Sequence, residues 1–360
     1  MSTCVRSYSK INLGLAIGPA RPDGFHGLTT LYQTLALHDL VTLSAHRAQH
    51  TRITLTTNHP HVPRDQRNTV WRIVERCLSR LGIAADVQIH IQKSLPVQGG
   101  LGAGSANAAA ALLGLERELG VSLAGIERLH LAAEVGSDVP LFLLGGAVVG
   151  RGRGEQVLPL PDLPRTHCIV AVPALGVSTP AAFRDWDALQ LSQSLTSSPQ
   201  VDRLLELSLA YSSLSARSGE SLKRKKDGNK SGTSGIVRDL APGSNGEPPR
   251  EDRVNSLNDL AENTLLALVR TGIGNDFEQV VFPQYPSLRI TKRQLMGSDS
   301  DSPAVYAALS GSGSALFGLY RSEADAKAAQ QRVHSSDSGV RTFLTETLPR
   351  DEYWNTMFAE

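Results

Sequence analysis

The chain has 360 residues, 41% of them hydrophobic, which is enough for two modest domains, each with its own core. Its 36 Lys and Arg against 35 Asp and Glu leave no long-range field to draw nucleic acid or an anionic membrane, so any bound phosphate must be held by local geometry. Cys4, Cys77 and Cys168 are odd in number and far apart, and no stretch is long enough for a membrane span; these features argue against a disulfide framework, a zinc site or an anchor and suit a reducing, cytoplasmic setting.

Lys10 lies in an early strand that otherwise reads apolar, with Asn12 on the same face two residues on. A loop entered through Asp23-Gly24 carries Phe25 and His26. Alternation at Ile53 and Leu55, and again at Val87, Ile89 and Ile91, predicts two strands. Between them Val70, Ile73, Val74, Cys77 and Leu81 recur at helical spacing over 68–81, so the order is strand, helix, strand.

After Lys93 comes the strongest local signal, Pro96-Val97-Gln98-Gly99-Gly100-Leu101-Gly102-Ala103-Gly104-Ser105-Ala106, leading into an Ala/Leu-rich helix over 106–119. Small residues let successive N–H groups point at one spot, and the helix adds its positive end there, a geometry that suits a polyphosphate. The alternative is a tight strand-to-helix turn with no ligand. It is neither a Walker A loop, since no Gly-Lys-Ser/Thr follows, nor a dinucleotide fingerprint, since Asn107 replaces the third glycine.

Helical patterns over 123–135 and 139–144 and strands near Ala147 and over 156–158 follow. From Leu214 to Arg253, Ser, Gly, Lys, Asn and Pro dominate and apolar periodicity stops, which predicts a disordered insertion. Its cluster Lys223, Arg224, Lys225 and Lys226 is either a solvated run or a partner patch. Order resumes with a helix over 257–269. Strands over 305–309 and 315–320 flank a Ser/Gly turn, and a helix over 323–333 and a strand over 340–344 complete an α+β second half.

The Pro96 loop resembles the phosphate loop of the GHMP kinases, the superfamily of galactokinase, homoserine, mevalonate and phosphomevalonate kinases. Ser9-Lys10-Ile11-Asn12-Leu13 resembles its first motif, and Leu309-Ser310-Gly311-Ser312-Gly313-Ser314-Ala315 its third. Within the superfamily the chain is most similar to the diphosphocytidyl-methylerythritol kinases. Arg21-Pro22-Asp23-Gly24-Phe25-His26, Gly136-Ser137-Asp138-Val139-Pro140-Leu141-Phe142 and Thr179-Pro180-Ala181-Ala182-Phe183 match their motifs.

This resemblance implies an α/β (α+β) two-domain fold: an N-terminal ribosomal-protein-S5-domain-2-like, ATP-binding domain over 1–160 and a ferredoxin-like domain over 161–360 that carries the insertion at 214–253. It implies ATP and Mg²⁺ as cofactors, with Ser105 the loop's hydroxyl for a metal or phosphate contact and no protein metal ligand named. It implies 4-diphosphocytidyl-2-C-methyl-D-erythritol as the small-molecule substrate, in a monomer or homodimer without nucleic acid or membrane.

Asp138 would be the base and Lys10 the cation that pairs with it, a carboxylate being the usual device for orienting or deprotonating a hydroxyl that attacks phosphorus. Read alone, an aspartate in Gly-x-Asp is better taken as a turn or capping residue, and the surrounding match reverses that. Asn12 would contact a substrate hydroxyl, and Phe25, His26 and Phe183 would hold the cytosine. Asn68 and Lys93 would flank the adenosine, and Ser310 and Gly311 would line the far side of the cleft. Other GHMP kinases, of the homoserine or mevalonate type, and a non-catalytic ligand-binding descendant are the alternatives.

Overall fold

The computed structural model describes residues 2–97, 99–194, 269 and 273–359. The insertion at 214–253 lies outside the described residues, as does most of the helix expected over 257–269.

The first sheet is built on a long antiparallel pair, β1 (Thr3–Ala20) and β2 (His26–Arg47). Both are buried on both faces through their middles, so they carry no polar alternation to mark them in the sequence. One edge of β2 is shared: Leu28–Gln33 pair with β5 (Ala147–Gly152), and Leu40–Arg47 pair with β4 (Ala85–Gln92). β3 (Arg52–Thr57) lies parallel to β4, and α1 (Thr69–Leu81) makes the crossover between them. β6 (Gln156–Pro159) pairs with β5.

Helix α1 buries Val70, Ile73, Val74 and Cys77 as its spacing predicts, with Leu78 buried and the expected Leu81 half-buried, and ends at Gly82 in a left-handed cap. Helix α2 (Ala103–Leu119) is buried on nearly every side, as an Ala/Leu run allows. It begins three residues before the expected 106, so Ala103, Gly104 and Ser105 form its first turn rather than the loop. Helix α3 (Gly125–Val135) starts later than expected, and residues Pro140–Leu143 close into a 3₁₀ turn. These helices and one face of the sheet enclose the first core.

The second sheet is antiparallel, in the order β10-β7-β9-β8, with β7 (His167–Val172), β8 (Tyr306–Leu309), β9 (Leu316–Tyr320) and β10 (Arg341–Glu346). The expected Ser/Gly turn joins β8 to β9, with Leu309 opposite Leu316. Helices α4 (Thr179–Ser194), α5 (Glu278–Gln284), α6 (Pro286–Met296) and α7 (Glu323–Ser336) contribute to its outer core. A third cluster joins the halves: Ile11, Leu13, Leu31 and Leu35 of the first sheet pack with Val170, Phe317 and Leu319 of the second. After α8 (Arg350–Asn355), the short β11 (Phe358–Ala359) returns to pair with β1, Cys4 opposite Ala359. The last residues therefore belong in space with the first half.

Candidate active site

The register of β1 and β2 shifts between Tyr8 and Lys10 and again between Asn12 and Gly14. Lys10 and Asn12 thus sit between two bulges, which re-aim side chains out of an otherwise regular ladder. Both are buried, and the lysine Nζ donates to Asn12 Oδ1 at 2.7 Å. Asn12 Nδ2 donates to Thr30 Oγ1 at 2.8 Å, and that hydroxyl donates to the Gly14 carbonyl at 2.8 Å. The chain of bonds fixes the asparagine's orientation from the strand behind it.

Asp138 arrives from the other side, in the turn between α3 and the 3₁₀ segment, where Val139 N–H bonds to the Gly136 carbonyl. Its Oδ2 lies 3.3 Å from Lys10 Nζ and its Oδ1 accepts from the Tyr32 hydroxyl at 3.0 Å. A buried ammonium is costly without a counter-charge, and Asp138 supplies one while staying about a third exposed to the cleft. Burial, followed by the nearby Asp138 and Glu155 carboxylates, pushes the Tyr32 phenol well above its ordinary value, so it remains a donor. The carboxylate is thereby gripped at both oxygens, with lone pairs left for a substrate hydroxyl.

Tyr32 was not assigned a role from the sequence. Its one signal is positional: it stands directly opposite Asn12 across the β1–β2 pair, a register the sequence does not reveal.

The two glycine-rich turns meet beside this group. Leu101 carbonyl accepts from Lys10 N–H at 3.0 Å, Gly99 carbonyl from Ala315 N–H at 3.0 Å, and Gly100 carbonyl from Ser310 Oγ at 2.9 Å. Gly100 has φ +82°, and a Cβ there would fall 2.1 Å from the Ser310 carbonyl oxygen. Gly102 caps α2 with φ +69°, and among the described residues no side chain bonds to the helix's first N–H groups. These free donors at a helix N-terminus favour an anion, and the Ser105 hydroxyl lies in the same turn. Gly311 approaches Asn12, and Asn275 Nδ2 holds the turn by donating to the Leu309 and Gly311 carbonyls at 2.8 and 2.7 Å.

Lys10, Asn12, Tyr32, Gly99, Gly100, Asp138 and Gly311 share one cleft of about 1100 Å³ with Phe25, His26 and Phe183. Phe25 is 52% exposed and the Arg153 guanidinium sits over its ring at 4.8 Å. His26, only 7% exposed, stacks on Phe183 with ring centres 4.8 Å apart and planes 12° from parallel. The histidine, not Phe25, therefore faces Phe183, whose ring also meets the edge of Phe277 at 5.0 Å.

Two expected residues are engaged elsewhere. Asn68 caps α1, accepting from Val70 N–H at 2.9 Å and donating to the Pro63 carbonyl at 2.7 Å. Lys93 is ion-paired with the fully buried Asp39, which also accepts from the Ser94 and Leu95 N–H groups at 2.7 Å. Both are committed to holding the polypeptide on either side of the loop. Val97 is exposed at the rim, Pro96, Leu101, Ala103 and Ala106 are buried beneath the loop, and Gln98 lies outside the described residues.

Residues 68–146 match the GHMP kinases N terminal domain and residues 256–338 match the GHMP kinases C terminal domain. A 4-diphosphocytidyl-2-C-methyl-D-erythritol kinase from Solibacter usitatus is 34% identical over 317 residues, 88% of this chain and 81% of its own. The chain belongs to this kinase family. A second relative of that name, from Moorella thermoacetica, is 30% identical over 342 residues, 95% of this chain and 98% of its own.

Solved structures agree on the fold. A 4-(cytidine 5'-diphospho)-2C-methyl-D-erythritol kinase superposes with a TM-score of 0.61 at 24% identity, covering 96% of this chain and 99% of that one. A homoserine kinase from Cytophaga hutchinsonii superposes with a TM-score of 0.64 at 19% identity, covering 98% and 96%. The two-domain GHMP fold is thus shared among kinases of different acceptors, and the acceptor must be argued from the site.

Proposed function

We propose that this chain transfers the γ-phosphoryl group of ATP to the 2-hydroxyl of 4-diphosphocytidyl-2-C-methyl-D-erythritol. The observation that carries the chemistry is the Lys10–Asp138 pair in a cleft shared with both glycine turns. The full-length match to kinases named for this substrate carries the acceptor's identity.

In this reading the acceptor hydroxyl lies against Asp138, whose carboxylate orients it and takes its proton as the O–P bond forms and ADP departs. Tyr32 and Lys10 hold the carboxylate in place, and the Lys10 charge offsets negative charge gathering on the transferred group. Asn12, locked by Thr30, is set to bond to a second acceptor hydroxyl. The α2 first turn and the Ser310–Gly311 turn take the ATP phosphates from two sides.

Among the described residues no three carboxylate, histidine or cysteine side chains gather into a metal site. The donors present suit a metal brought in on phosphate, with the Ser105 hydroxyl in the first turn of α2 the group that would hold it. Mg²⁺ bound there would neutralise charge on the β- and γ-phosphate oxygens.

The cytidyl end would occupy the part of the cleft lined by Phe25, His26 and Phe183. Division of labour between an ATP-binding half at 1–160 and a second half at 161–360 belongs to the same proposal. So does a cytoplasmic setting, which the three free cysteines support. Among the described residues no helix is long and apolar enough to cross a membrane.

The test is ADP release over a panel of the cytidyl compound, mevalonate, homoserine and free methylerythritol phosphate. Turnover of the cytidyl compound alone is expected. Comparable turnover of any other member would refute the assigned acceptor.

A further inference from the structure

Asp187 was not singled out by any sequence motif, yet it touches the ring that the proposed base site depends on. His26 Nε2 lies 2.7 Å from Asp187 Oδ1. The opposite ring nitrogen, Nδ1, has no hydrogen-bond partner among the described residues, although the imidazole is 93% buried and lines the cleft. Phe183 and Asp187 are four residues apart on α4 and so share one face of that helix. One helix face therefore constrains the imidazole twice. The Phe183 ring sets its plane, and the Asp187 carboxylate sets its rotation within that plane.

A carboxylate only accepts, so the Nε2 nitrogen must carry a hydrogen. In a neutral imidazole this leaves Nδ1 as a bare acceptor. An acceptor on a buried ring that lines the cleft rewards a ligand that brings an N–H and penalises one that brings a carbonyl oxygen to the same place. Cytosine presents an exocyclic amine where uracil presents an oxygen.

We infer that Asp187 is a positioning residue for base selection: it holds His26 in the Nε2–H tautomer, so that Nδ1 accepts from the exocyclic amine of an aminopyrimidine and rejects an oxopyrimidine. The inference rests on the cytidyl substrate proposed above.

Two variants and two readouts test it. Asp187→Leu removes the acceptor, whereas Asp187→Asn keeps a carbonyl oxygen that can still accept from Nε2. For each protein the kcat/KM ratio is measured for the cytidyl substrate against its uridyl analogue, and ¹⁵N NMR of His26 reports the tautomer. The native enzyme is expected to prefer the cytidyl compound and to show the Nε2–H form. In Asp187→Leu the preference is expected to fall by roughly 5- to 150-fold, through KM more than kcat, with a mixed tautomer signal. Asp187→Asn is expected to retain most of the preference.

An Asp187→Leu enzyme that keeps both the preference and the Nε2–H signal overturns the role of Asp187 alone. A native enzyme that takes the uridyl analogue equally well overturns the inference and the cytidyl reading together. The two failures are told apart by which protein shows them.

Discussion

Replacing Tyr32 with Phe removes one hydroxyl from the catalytic group while leaving the buried ring that packs in the first core. That hydroxyl donates to Asp138 Oδ1 at 3.0 Å, a neutral donor on a charged acceptor, and such bonds contribute about 1.5–3 kcal/mol. Without it the carboxylate keeps, among the described residues, the 3.3 Å contact to Lys10 on its other oxygen and can rotate about that contact. Because Asp138 is about a third exposed, water can replace the lost donor, which favours the lower end of the range for ground-state cost. Water does not fix the angle at which the carboxylate meets the acceptor hydroxyl, and the loss should therefore appear in the transition state. The expected result is a kcat lowered by roughly 10- to 150-fold, with KM for ATP within a factor of about two. Steady-state ADP release over both substrates, with thermal melting to confirm an intact fold, measures it. A Tyr32→Phe enzyme with native kcat would show that Lys10 alone positions Asp138.

Three further outcomes are expected. Asp138→Asn should keep ATP binding and lower kcat by roughly 10²–10⁴-fold, the scale for removing a positioned acid–base group; near-native turnover would make Asp138 a turn residue. Gly100→Ala should cost more than about 2 kcal/mol in urea unfolding, since it combines a left-handed φ of +82° with a Cβ 2.1 Å from the Ser310 carbonyl; an unchanged midpoint would mean the two turns separate easily. Burial, with a smaller contribution from the Glu116 charge, pushes the Cys77 thiol from its ordinary 9.0 to about 12. The unfolded chain therefore loses this proton first, and stability should fall as pH rises from about 9 to about 12. Cys77→Ala should flatten that slope, and an unchanged slope would assign the loss to other groups.

The sequence exposed the parts of this protein whose physics is local. Helix α1 was readable because an amphipathic stripe lies within a dozen residues, and α2 because an Ala/Leu run after glycines has few other uses. The β1–β2 pair was largely opaque, since strands buried on both faces lack alternation, and with it went Tyr32, which meets Asp138 only through a cross-strand register. The ion pair of Lys93 was equally hidden, because its partner Asp39 stands on β2, 54 residues earlier in the chain. Phe25, His26 and Phe183 were expected together, but their arrangement was not legible: His26 is the ring that lies on Phe183, and Asp187 bonds to it. In each case the missing information was a contact between distant segments, which composition and spacing do not encode.

Those distant contacts also explain how the described part of the site is positioned. Three backbone segments near residues 10, 100 and 310 are joined by the bonds from Lys10 N–H to Leu101, from Ser310 Oγ to Gly100 and from Ala315 N–H to Gly99. Each of these bonds links two different segments, so their spacing is set by how the two sheets pack. That packing is the central cluster, in which Ile11 and Leu13 flank Asn12 along β1 and meet Val170 and Phe317 of the second sheet. A phosphoryl transfer asks the protein chiefly for placement and charge, and a misplacement of about 1 Å can cost on the order of a hundredfold in rate. The apolar side chains between the sheets are thus coupled to catalysis through geometry: Lys10 and Asn12 can hold their positions only while the residues alternating with them stay packed.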